Sequence, residues 1–445
     1  MKASLNHVHK DSNLAVQNLF EQTYDWTNQC IQCGYCLPAC PTYRSMGKES
    51  ASPRGRINLV KMASEGKIEI QNHLSKPIDL CLGCRACETA CPVGVPYGHI
   101  LEAARDTIED SQSKEKITAA TRLKNGALNH LFPYPRRMKI LGNLLWFYQK
   151  VGLNKLIRRT KVLHKLSEPL AQLEKAVPLV EPPSKRVRHG TTFPPKGAKK
   201  IRVAFFTGCI MDAMMTRINR LTIDLLTSIG CEVVIPEAQT CCGALHAHQG
   251  AKGRAKELAK ANIKAFENTG ADFFVNNAGG CGAALVEYDH LLANEPESID
   301  SAKEFVNKAK DISQILVQYG PLPFKKALSD VVVYQDSCHL RNVQKVYKEP
   351  RLLLESIPGS TFVEMEGADS CCASGGIYNL LHFDESMKIL DEKMTKVTQT
   401  NPTVVVTANP GCQLQMSLGI ERHGRANEIR SMHLVELLAE CCGFN

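Results

Sequence analysis

The 445-residue sequence is 44% hydrophobic and 22% charged, a composition that indicates a globular protein and excludes a largely disordered chain. No run approaches the roughly 18 consecutive apolar residues of a membrane-spanning helix, and the first ten residues lack the apolar core of a secretory signal. The length predicts two to four domains. The nineteen cysteines then indicate metal ligands rather than disulfides.

Eight cysteines form two copies of the pattern C-x2-C-x2-C-x3-C-P, which start at Cys30 and Cys81. This is the bacterial spacing for [4Fe–4S] clusters. The first three thiolates of a run can each reach a different iron of one cluster, and in two-cluster proteins the fourth ligates the other cluster. We therefore expect two [4Fe–4S] clusters. Cluster 1 takes Cys30, Cys33, Cys36 and Cys91, and cluster 2 takes Cys81, Cys84, Cys87 and Cys40.

Two other interpretations of these runs are weaker. A disulfide framework needs an oxidising compartment, for which the sequence gives no signal. A zinc site pairs two C-x2-C units and does not account for the third cysteine or for the proline after the fourth.

The segment between the runs is longer than a compact two-cluster ferredoxin needs. It resembles the helical ferredoxin modules of succinate dehydrogenase-type and hydroxy-acid oxidase electron-transfer subunits. Arg54 and Arg56 lie in it, and a cation beside a cluster stabilises the more negative reduced form. The alternative is a surface loop with two solvated arginines.

A basic stretch from Lys116 to Ser167 contains twelve Lys or Arg residues and no Asp or Glu. Its centre, Ile140–Tyr148, is apolar and aromatic. One interpretation is a helix on an anionic membrane surface. The other is a helix that packs its apolar face against its own domain or a partner and leaves the basic face outside. Residues 178–200, rich in proline and basic residues, are predicted to be an exposed linker.

The second half of the chain is an internal duplication. Matching cysteines of the two copies are 129, 130, 130 and 131 residues apart, and so constant a spacing indicates two copies of one supersecondary unit. The first copy has Cys209, Cys241, Cys242 and Cys281, and the second has Cys338, Cys371, Cys372 and Cys412.

Each copy alternates apolar strands with helical segments, which predicts α/β units around a mainly parallel sheet. Sites in such sheets lie beyond the carboxyl ends of the strands. Because two cysteines of each copy directly follow strands, we expect all four to converge there. Adjacent cysteines rarely both reach one mononuclear metal, but they suit a multinuclear cluster. The two sets are thus candidate third and fourth sites, with a further iron–sulfur cluster, zinc or no metal all left open.

The double repeat resembles the cysteine-rich CCG domain, in which a cysteine, a Cys-Cys-Gly unit and another cysteine are separated by long gaps. Together with the ferredoxin motifs, the chain from about Asp25 to His433 resembles the iron–sulfur subunit of bacterial glycolate oxidase. The features that carry the resemblance are the Cys30–Cys36 start, Pro53–Arg56, Cys87–Pro92 and Asp336–Leu340.

This resemblance implies an electron-transfer subunit of a flavin-dependent complex that oxidises glycolate to glyoxylate. FAD-binding partner subunits would oxidise the substrate, and a quinone or another acceptor would take the electrons. No catalytic residue is expected in this chain. The alternatives are an iron–sulfur subunit of a lactate or glycerol-3-phosphate dehydrogenase, or a heterodisulfide-reductase-like enzyme that uses the CCG sites.

Two departures from the fullest CCG motif bear on that last alternative. The motif ends in Cys-x2-Cys, but Ala284 and Gln415 stand where the last cysteine belongs. In the second copy, Ala373 replaces the glycine. Each site therefore has four cysteines instead of five, which puts disulfide chemistry in doubt.

We therefore expect an α+β multidomain protein, with an N-terminal helical two-cluster ferredoxin module followed by two repeated α/β CCG domains. The expected segments are the ferredoxin module at 1–110, the basic helical segment and linker at 111–200, and the CCG domains at 201–325 and 326–445. We expect a cytoplasmic protein, with peripheral contact at the inner face of the cell membrane left open. Without a G-x-G-x-x-G motif after a strand or a P-loop, the chain itself is not expected to bind a nucleotide or flavin. The basic stretch raises nucleic-acid binding, but no nucleic-acid-binding signature accompanies it, and we expect none.

Overall fold

The computed structural model describes residues 12–111, 119–160, 162–166 and 168–444. Both ends of the predicted basic stretch, Lys116 and Ser167, lie outside the described residues, as does Lys161 within it.

The chain divides into two compact units. The first is Met1–Gly126 with Leu245–Arg254, and the second is Ala127–Ala244 with Ala255–Asn445. The four segments expected from the sequence remain a prediction, because compactness does not test whether a segment folds alone.

The first unit contains the helical ferredoxin module expected from the sequence. Its helices are α1 (Ser12–Asn28), α2 (Cys36–Ala39), α3 (Pro41–Met46), α4 (Pro53–Ser64), α5 (Ser75–Asp79), α6 (Ala86–Thr89) and α7 (Tyr97–Asp110). Helix α1 packs against α4 and α7, and Leu19, Val60 and Ile100 are buried in their shared core. Ser52 caps α4 by accepting a hydrogen bond from the Gly55 N–H at 2.9 Å. This cap starts the helix that carries Arg54 and Arg56.

Further helices follow in the region of the basic stretch. They are α8 (Ala119–His130), α9 (Pro135–Lys150), α10 (Leu153–Thr160), α11 (Val162–Leu166) and α12 (Glu168–Ala176). None of the helices within the described ranges has the length and apolarity needed to cross a bilayer.

The first CCG copy forms a five-stranded sheet. Its strands are β1 (Thr192–Phe193), β2 (Ile201–Phe206), β3 (Cys231–Val234), β4 (Phe273–Asn276) and β5 (Ala309–Asp311). The strand order is β1-β3-β2-β4-β5, and all pairs are parallel except β1 with β3. Strand β1 lies in the segment that the sequence predicts to be a linker. The helices of this copy are α13 (Cys209–Met214), α14 (Thr216–Ser228), α15 (Ala244–Ala247), α16 (Lys252–Glu267), α17 (Gly279–Leu285), α18 (Tyr288–Leu291), α19 (Ile299–Lys308) and α20 (Ile312–Tyr319).

The second copy repeats this arrangement with four parallel strands. They are β6 (Val331–Tyr334), β7 (Thr361–Val363), β8 (Val404–Thr407) and β9 (Arg430–His433), in the order β7-β6-β8-β9. The helices are α21 (Cys338–Asn342), α22 (Lys348–Glu355), α23 (Tyr378–Leu381), α24 (Phe383–Gln399), α25 (Pro410–Arg422) and α26 (Leu434–Cys442). The order β7-β6-β8-β9 matches β3-β2-β4-β5, so the duplication seen in the sequence is also one of topology.

Helix α9 combines the two interpretations of the basic stretch. One face packs against α13, so closely that a Cβ added at Gly142 would lie 2.3 Å from the Ala213 carbonyl oxygen. On the other face, the apolar side chains of Ile140, Leu144 and Phe147 are exposed. The helix therefore packs on its own unit and still presents an apolar stripe to solvent.

Candidate metal centres

The four cysteines assigned to cluster 1 line one open cavity of about 410 Å³ in the first unit. Cys30, Cys33, Cys36 and Cys91 all border it, although Cys91 comes from the second run. Gly34 turns the first loop at φ +87°, and a Cβ there would lie 3.1 Å from an Arg54 nitrogen. The structure thus brings together the ligand set that the crossed assignment requires.

The cluster 2 cysteines are buried beside one another. Burial raises the pKa of Cys87 well above its usual range, and Cys84, Cys81 and Cys40 raise it further through their charges. All four thiols are therefore within electrostatic reach. Cys87 also borders the cluster 1 cavity, so the two sets adjoin.

Hydrogen-bond donors surround cluster 2. The Tyr97 hydroxyl donates to Cys81 Sγ at 3.3 Å, and the Gly83 N–H donates to the same sulfur at 3.4 Å. The Thr42 hydroxyl lies 3.3 Å from Cys40 Sγ. Donors to thiolate sulfur stabilise the added negative charge of a reduced cluster.

Arg56 is buried, with 1% of its surface exposed. It donates to the Pro77 carbonyl at 2.7 Å and to the Thr42 hydroxyl at 3.1 Å. Although burial raises the pKa of Cys81, Arg56 and then Arg105 bring it below its usual value. The alternative of a solvated loop is therefore wrong for Arg56. Arg54 lies nearer the surface, paired with Glu49 at 2.7 Å.

The residues around cluster 2 fit an iron–sulfur cluster. Arg56 Nη2 is buried without a hydrogen-bond partner in the described part of the chain. A guanidinium donor left over beside thiolates suits the sulfide or thiolate sulfur of a bound cluster.

The first CCG set gathers beyond the carboxyl ends of its strands. Cys209 opens α13 after β2, Cys281 lies in the first turn of α17 after β4, and Cys241 and Cys242 follow β3. The pKa of Cys209 is raised by its hydrogen bond with Cys241 and by burial. That of Cys242 is raised by hydrogen bonds with Cys241 and Cys281. These contacts join all four thiols.

The second CCG set has the same placement. Cys338 opens α21, Cys412 lies in the first turn of α25, and Cys371 and Cys372 follow β7. A hydrogen bond with Cys371 lowers the pKa of Cys338 to about 5. Hydrogen bonds with Cys371 and Cys412 lower that of Cys372. His339 Nδ1 lies 3.4 Å from Cys338 Sγ.

Neither set is shaped like a mononuclear site. Across the described ranges, no three His, Cys, Asp or Glu side chains are grouped so as to hold a single metal ion. Four neighbouring thiols suit a multinuclear cluster better, because each thiolate then binds a different iron.

The missing glycine of the second copy leaves the turn unchanged. Gly243 has φ +84° and Ala373, at the matching position, has φ +67°. Alanine in this left-handed region costs roughly 1–2 kcal/mol. The second copy thus keeps the turn after its paired cysteines at a cost in strain.

Three cysteines outside the motifs lie in hydrophobic core. Cys231 is in β3, and Cys441 and Cys442 are in α26. Burial raises their pKa values to about 12, 11 and 12 respectively. They act as small apolar side chains.

Several residues beside the cysteines were missed from the sequence. No motif marks Tyr97 or Thr42, which come from elements distant along the chain. Lys393 and Asn409 differ from the residues at the matching positions of the first copy, Asn262 and Ala278. Aligning the two copies would have found both.

Two interleaved four-cysteine sets on a helical module, joined to a duplicated α/β fold with four converging cysteines per copy, define a multi-cluster iron–sulfur protein with CCG domains. Comparison with known families agrees at each segment. Residues 26–95 match the 4Fe-4S dicluster domain, residues 203–286 and 332–417 each match the cysteine-rich domain, and residues 119–177 match the linker region of the glycolate oxidase iron-sulfur subunit.

The chain belongs to the glycolate oxidase iron–sulfur subunit family. It is 49% identical over 434 residues to the probable glycolate oxidase iron-sulfur subunit of Bacillus subtilis (strain 168), covering 96% of this chain and 97% of the relative. The glycolate oxidase iron-sulfur subunit of Escherichia coli (strain K12) is 31% identical over 393 residues, 87% of this chain and 89% of the relative. Lactate utilization protein A of Oceanobacillus iheyensis is 31% identical over 239 residues, 54% of this chain and 96% of the relative.

Proposed function

We propose that this chain relays electrons from FAD-binding subunits, which oxidise glycolate to glyoxylate, to a quinone or another acceptor. The observation that carries this proposal is the pairing of an open cluster 1 cavity, in which Cys33 is exposed, with an adjoining buried cluster 2 set. An exposed site can exchange electrons with a partner, and a buried neighbour can pass them on. The family supplies glycolate as the leading substrate.

The division of labour follows from electron counting. Oxidation of a hydroxy acid to a keto or aldehyde acid releases two electrons, and a flavin accepts two and can release them singly. Bound [4Fe–4S] clusters supply one-electron redox chemistry. This chain's own residues hold the clusters by thiolates and stabilise the added charge, through Arg56 and Tyr97 at cluster 2.

We further propose that the CCG sets bind a third and a fourth iron–sulfur cluster. Zinc in either set is the competing occupant. Iron, zinc and sulfide analysis of anaerobically prepared protein distinguishes them: two clusters contribute about eight irons, and filled CCG sets raise the total to about twelve or sixteen.

The relay is tested by replacing Cys33 with serine, a poor ligand for iron compared with thiolate. In the assembled complex, Cys33→Ser should remove cluster 1 and stop electron transfer to the acceptor, while substrate still reduces the flavin. Tyr35→Ser, an exposed change in the same loop, is the control and should keep the iron content. Loss of flavin reduction in Cys33→Ser would place Cys33 near the substrate chemistry and contradict the relay.

A lactate-oxidising complex is the second candidate, because a lactate utilization protein covers 54% of the chain at 31% identity. Reduction of the clusters by lactate but not by glycolate, with the flavin partners present, would favour it. Direct disulfide reduction fits less well, since Cys241, Cys242, Cys371 and Cys372 are all buried.

We also propose that the exposed side of α9 attaches the protein to an anionic membrane, where a quinone acceptor dissolves. Ile140, Leu144 and Phe147 form its apolar stripe, and Arg136 and Arg159 are exposed nearby in sequence. Each basic residue near an anionic surface contributes on the order of 1 kcal/mol.

The aromatic contribution differs from what the sequence suggests. Trp146 is partly covered by Lys150, whose Nζ lies 4.7 Å from the ring centre. The Tyr148 hydroxyl donates to Glu174 at 3.1 Å. Phe147 is therefore the aromatic residue best placed to insert.

Flotation with anionic liposomes tests this attachment. Binding should weaken as salt rises, and Arg136→Glu with Arg159→Glu should abolish it with the clusters intact. Lys264→Glu with Lys303→Glu makes the same change in net charge on other exposed helices and should leave binding intact. Wild-type protein that ignores the liposomes at low salt would contradict the proposal. Release of a flavin subunit by the α9 variant would instead make this face a docking surface for a protein partner.

A further inference from the structure

The two CCG sets have matching cysteines but different surroundings. Asn262 and Lys393 occupy equivalent places, each eleven residues before the strand that leads to the last cysteine of its copy, β4 at Phe273 and β8 at Val404. Both side chains are buried on the helix behind the paired cysteines. One set is therefore backed by a neutral amide and the other by an ammonium group.

The first set has a neutral backing. Asn262 Nδ2 donates to the Cys241 carbonyl at 2.9 Å, and its Oδ1 accepts from the Thr240 N–H at 2.8 Å. The Tyr288 hydroxyl donates to the Cys242 carbonyl at 2.9 Å. These contacts hold the loop without adding a charge.

The second set has a cation. Lys393 is only 2% exposed, and its Nζ donates to the Gly367 carbonyl at 2.5 Å, a neutral acceptor that leaves the ammonium charge uncancelled. Burial lowers the pKa of Lys393 to about 8, against the charges of Cys372 and Cys371. The ammonium is thus within electrostatic reach of the paired thiols.

A carboxylate near the second set is compensated. Asp336 is buried, but Arg341 and Arg351 each donate to it at 3.0 Å. Arg351 also pairs with Glu364 at 2.7 Å. These ion pairs balance their own charges, so Lys393 remains as the charge that distinguishes the second set.

Asn409 adds a neutral donor and joins the two sets. Its Nδ2 lies 3.5 Å from Cys412 Sγ, to which it donates, and its Oδ1 accepts from the Gly280 N–H at 3.0 Å. Gly280 directly precedes Cys281, and the first copy has Ala278 at the position of Asn409, three residues before the cysteine. One side chain therefore connects the loop of Cys281 to the sulfur of Cys412.

We propose that the cluster of the second CCG set has the higher reduction potential, that electrons pass from the first set to the second across the Gly280–Asn409 contact, and that Lys393 and Asn409 set this direction. The inference rests on the proposed function, in that both sets hold clusters. In each step one electron leaves the reduced first cluster, which is oxidised, and enters the second, which is reduced. The added negative charge is stabilised by the ammonium and by the donor to sulfur.

The test is a redox titration of the anaerobic full-length protein, followed by electron paramagnetic resonance. Lys393→Asn installs the residue of the first copy and should lower the midpoint potential of one signal at least tenfold in its reduction equilibrium, about 59 mV for one electron. Asn409→Ala should shift the same signal down by less. Cys412→Ser identifies that signal by removing it. Lys396→Asn, which removes a lysine bonded to Glu366 at the surface of the same helix, is the matched control and should shift nothing.

Other outcomes overturn the inference. An unchanged potential in Lys393→Asn with full iron content would show that the ammonium does not act on a cluster. A shift confined to a ferredoxin signal would place its action elsewhere. Wild-type protein with only about eight irons would refute it while leaving the relay through clusters 1 and 2 intact, since Cys33→Ser tests that relay separately. If Lys393→Asn loses iron, Lys393→Arg, which keeps the charge, must retain both the iron and the potential.

Discussion

Removing one hydroxyl group at cluster 2 gives a sharp test of how the protein sets a potential. The Tyr97 hydroxyl is buried and donates to Cys81 Sγ at 3.3 Å. Burial raises the pKa of Tyr97 well above its usual range, so it remains a neutral donor. Tyr97→Phe removes this hydrogen bond and keeps the ring that fills the core.

The size of the effect follows from how the bond changes on reduction. A hydrogen bond contributes about 1 kcal/mol with a neutral acceptor and about 1.5–3 kcal/mol with a charged one. Reduction adds a negative charge, so the bond should favour the reduced form by about 1 kcal/mol. Since about 1.4 kcal/mol corresponds to about 59 mV for one electron, Tyr97→Phe should lower the potential of cluster 2 by about 40 mV.

The assay is a redox titration of matched wild-type and variant preparations by electron paramagnetic resonance. Tyr35→Phe is the control, because Tyr35 is 69% exposed in the cluster 1 loop and should leave both ferredoxin potentials unchanged. If Tyr97→Phe moves neither potential, or raises one, the hydrogen bond does not act as argued. If only the signal lost in Cys33→Ser moves, the assignment of Cys81 to cluster 2 fails.

Three further substitutions test the site and its supports. Arg56→Met should lower the potential of cluster 2 more than Tyr97→Phe does, because a full charge is lost; an equal or smaller shift in the same titration would count against it. Ala373→Gly should raise the free energy of unfolding by about 1 kcal/mol, and Gly243→Ala should lower it by about 1–2 kcal/mol, by relieving and creating left-handed strain; chemical denaturation under anaerobic conditions measures both, and equal effects of the same sign would refute the strain argument. Gly142→Ala should destabilise the packing of α9 by about 1–3 kcal/mol, since the new Cβ would meet the Ala213 carbonyl; unchanged denaturation would show that the helix shifts freely.

Much of the architecture could be predicted because it depends on spacing. The C-x2-C-x2-C-x3-C-P runs restrict which thiolates reach one cluster, and the structure places Cys91 with the first run as the crossed assignment requires. The constant offsets between copies likewise foretold two sheets with one strand order. Such features are written in the separation of residues along the chain.

The surroundings of the cysteines could not be predicted in the same way. Tyr97 reaches Cys81 only because α7 packs beside the cluster, and α4 buries Arg56 while leaving Arg54 near the surface. Strand β1 formed in a proline-rich segment because the edge of β3 offered backbone partners there. These outcomes depend on tertiary packing, which overrides local composition.

The most direct test of the relay is the source of electrons for the clusters. Glycolate should be added anaerobically to the isolated chain, and then to the chain with its FAD-binding partners, while cluster absorbance is followed. We predict that the isolated chain is brown, contains no flavin and is not bleached, and that bleaching occurs only with the flavin partners present. Bleaching of the isolated chain by glycolate would contradict the relay, because substrate oxidation would then reside in this subunit.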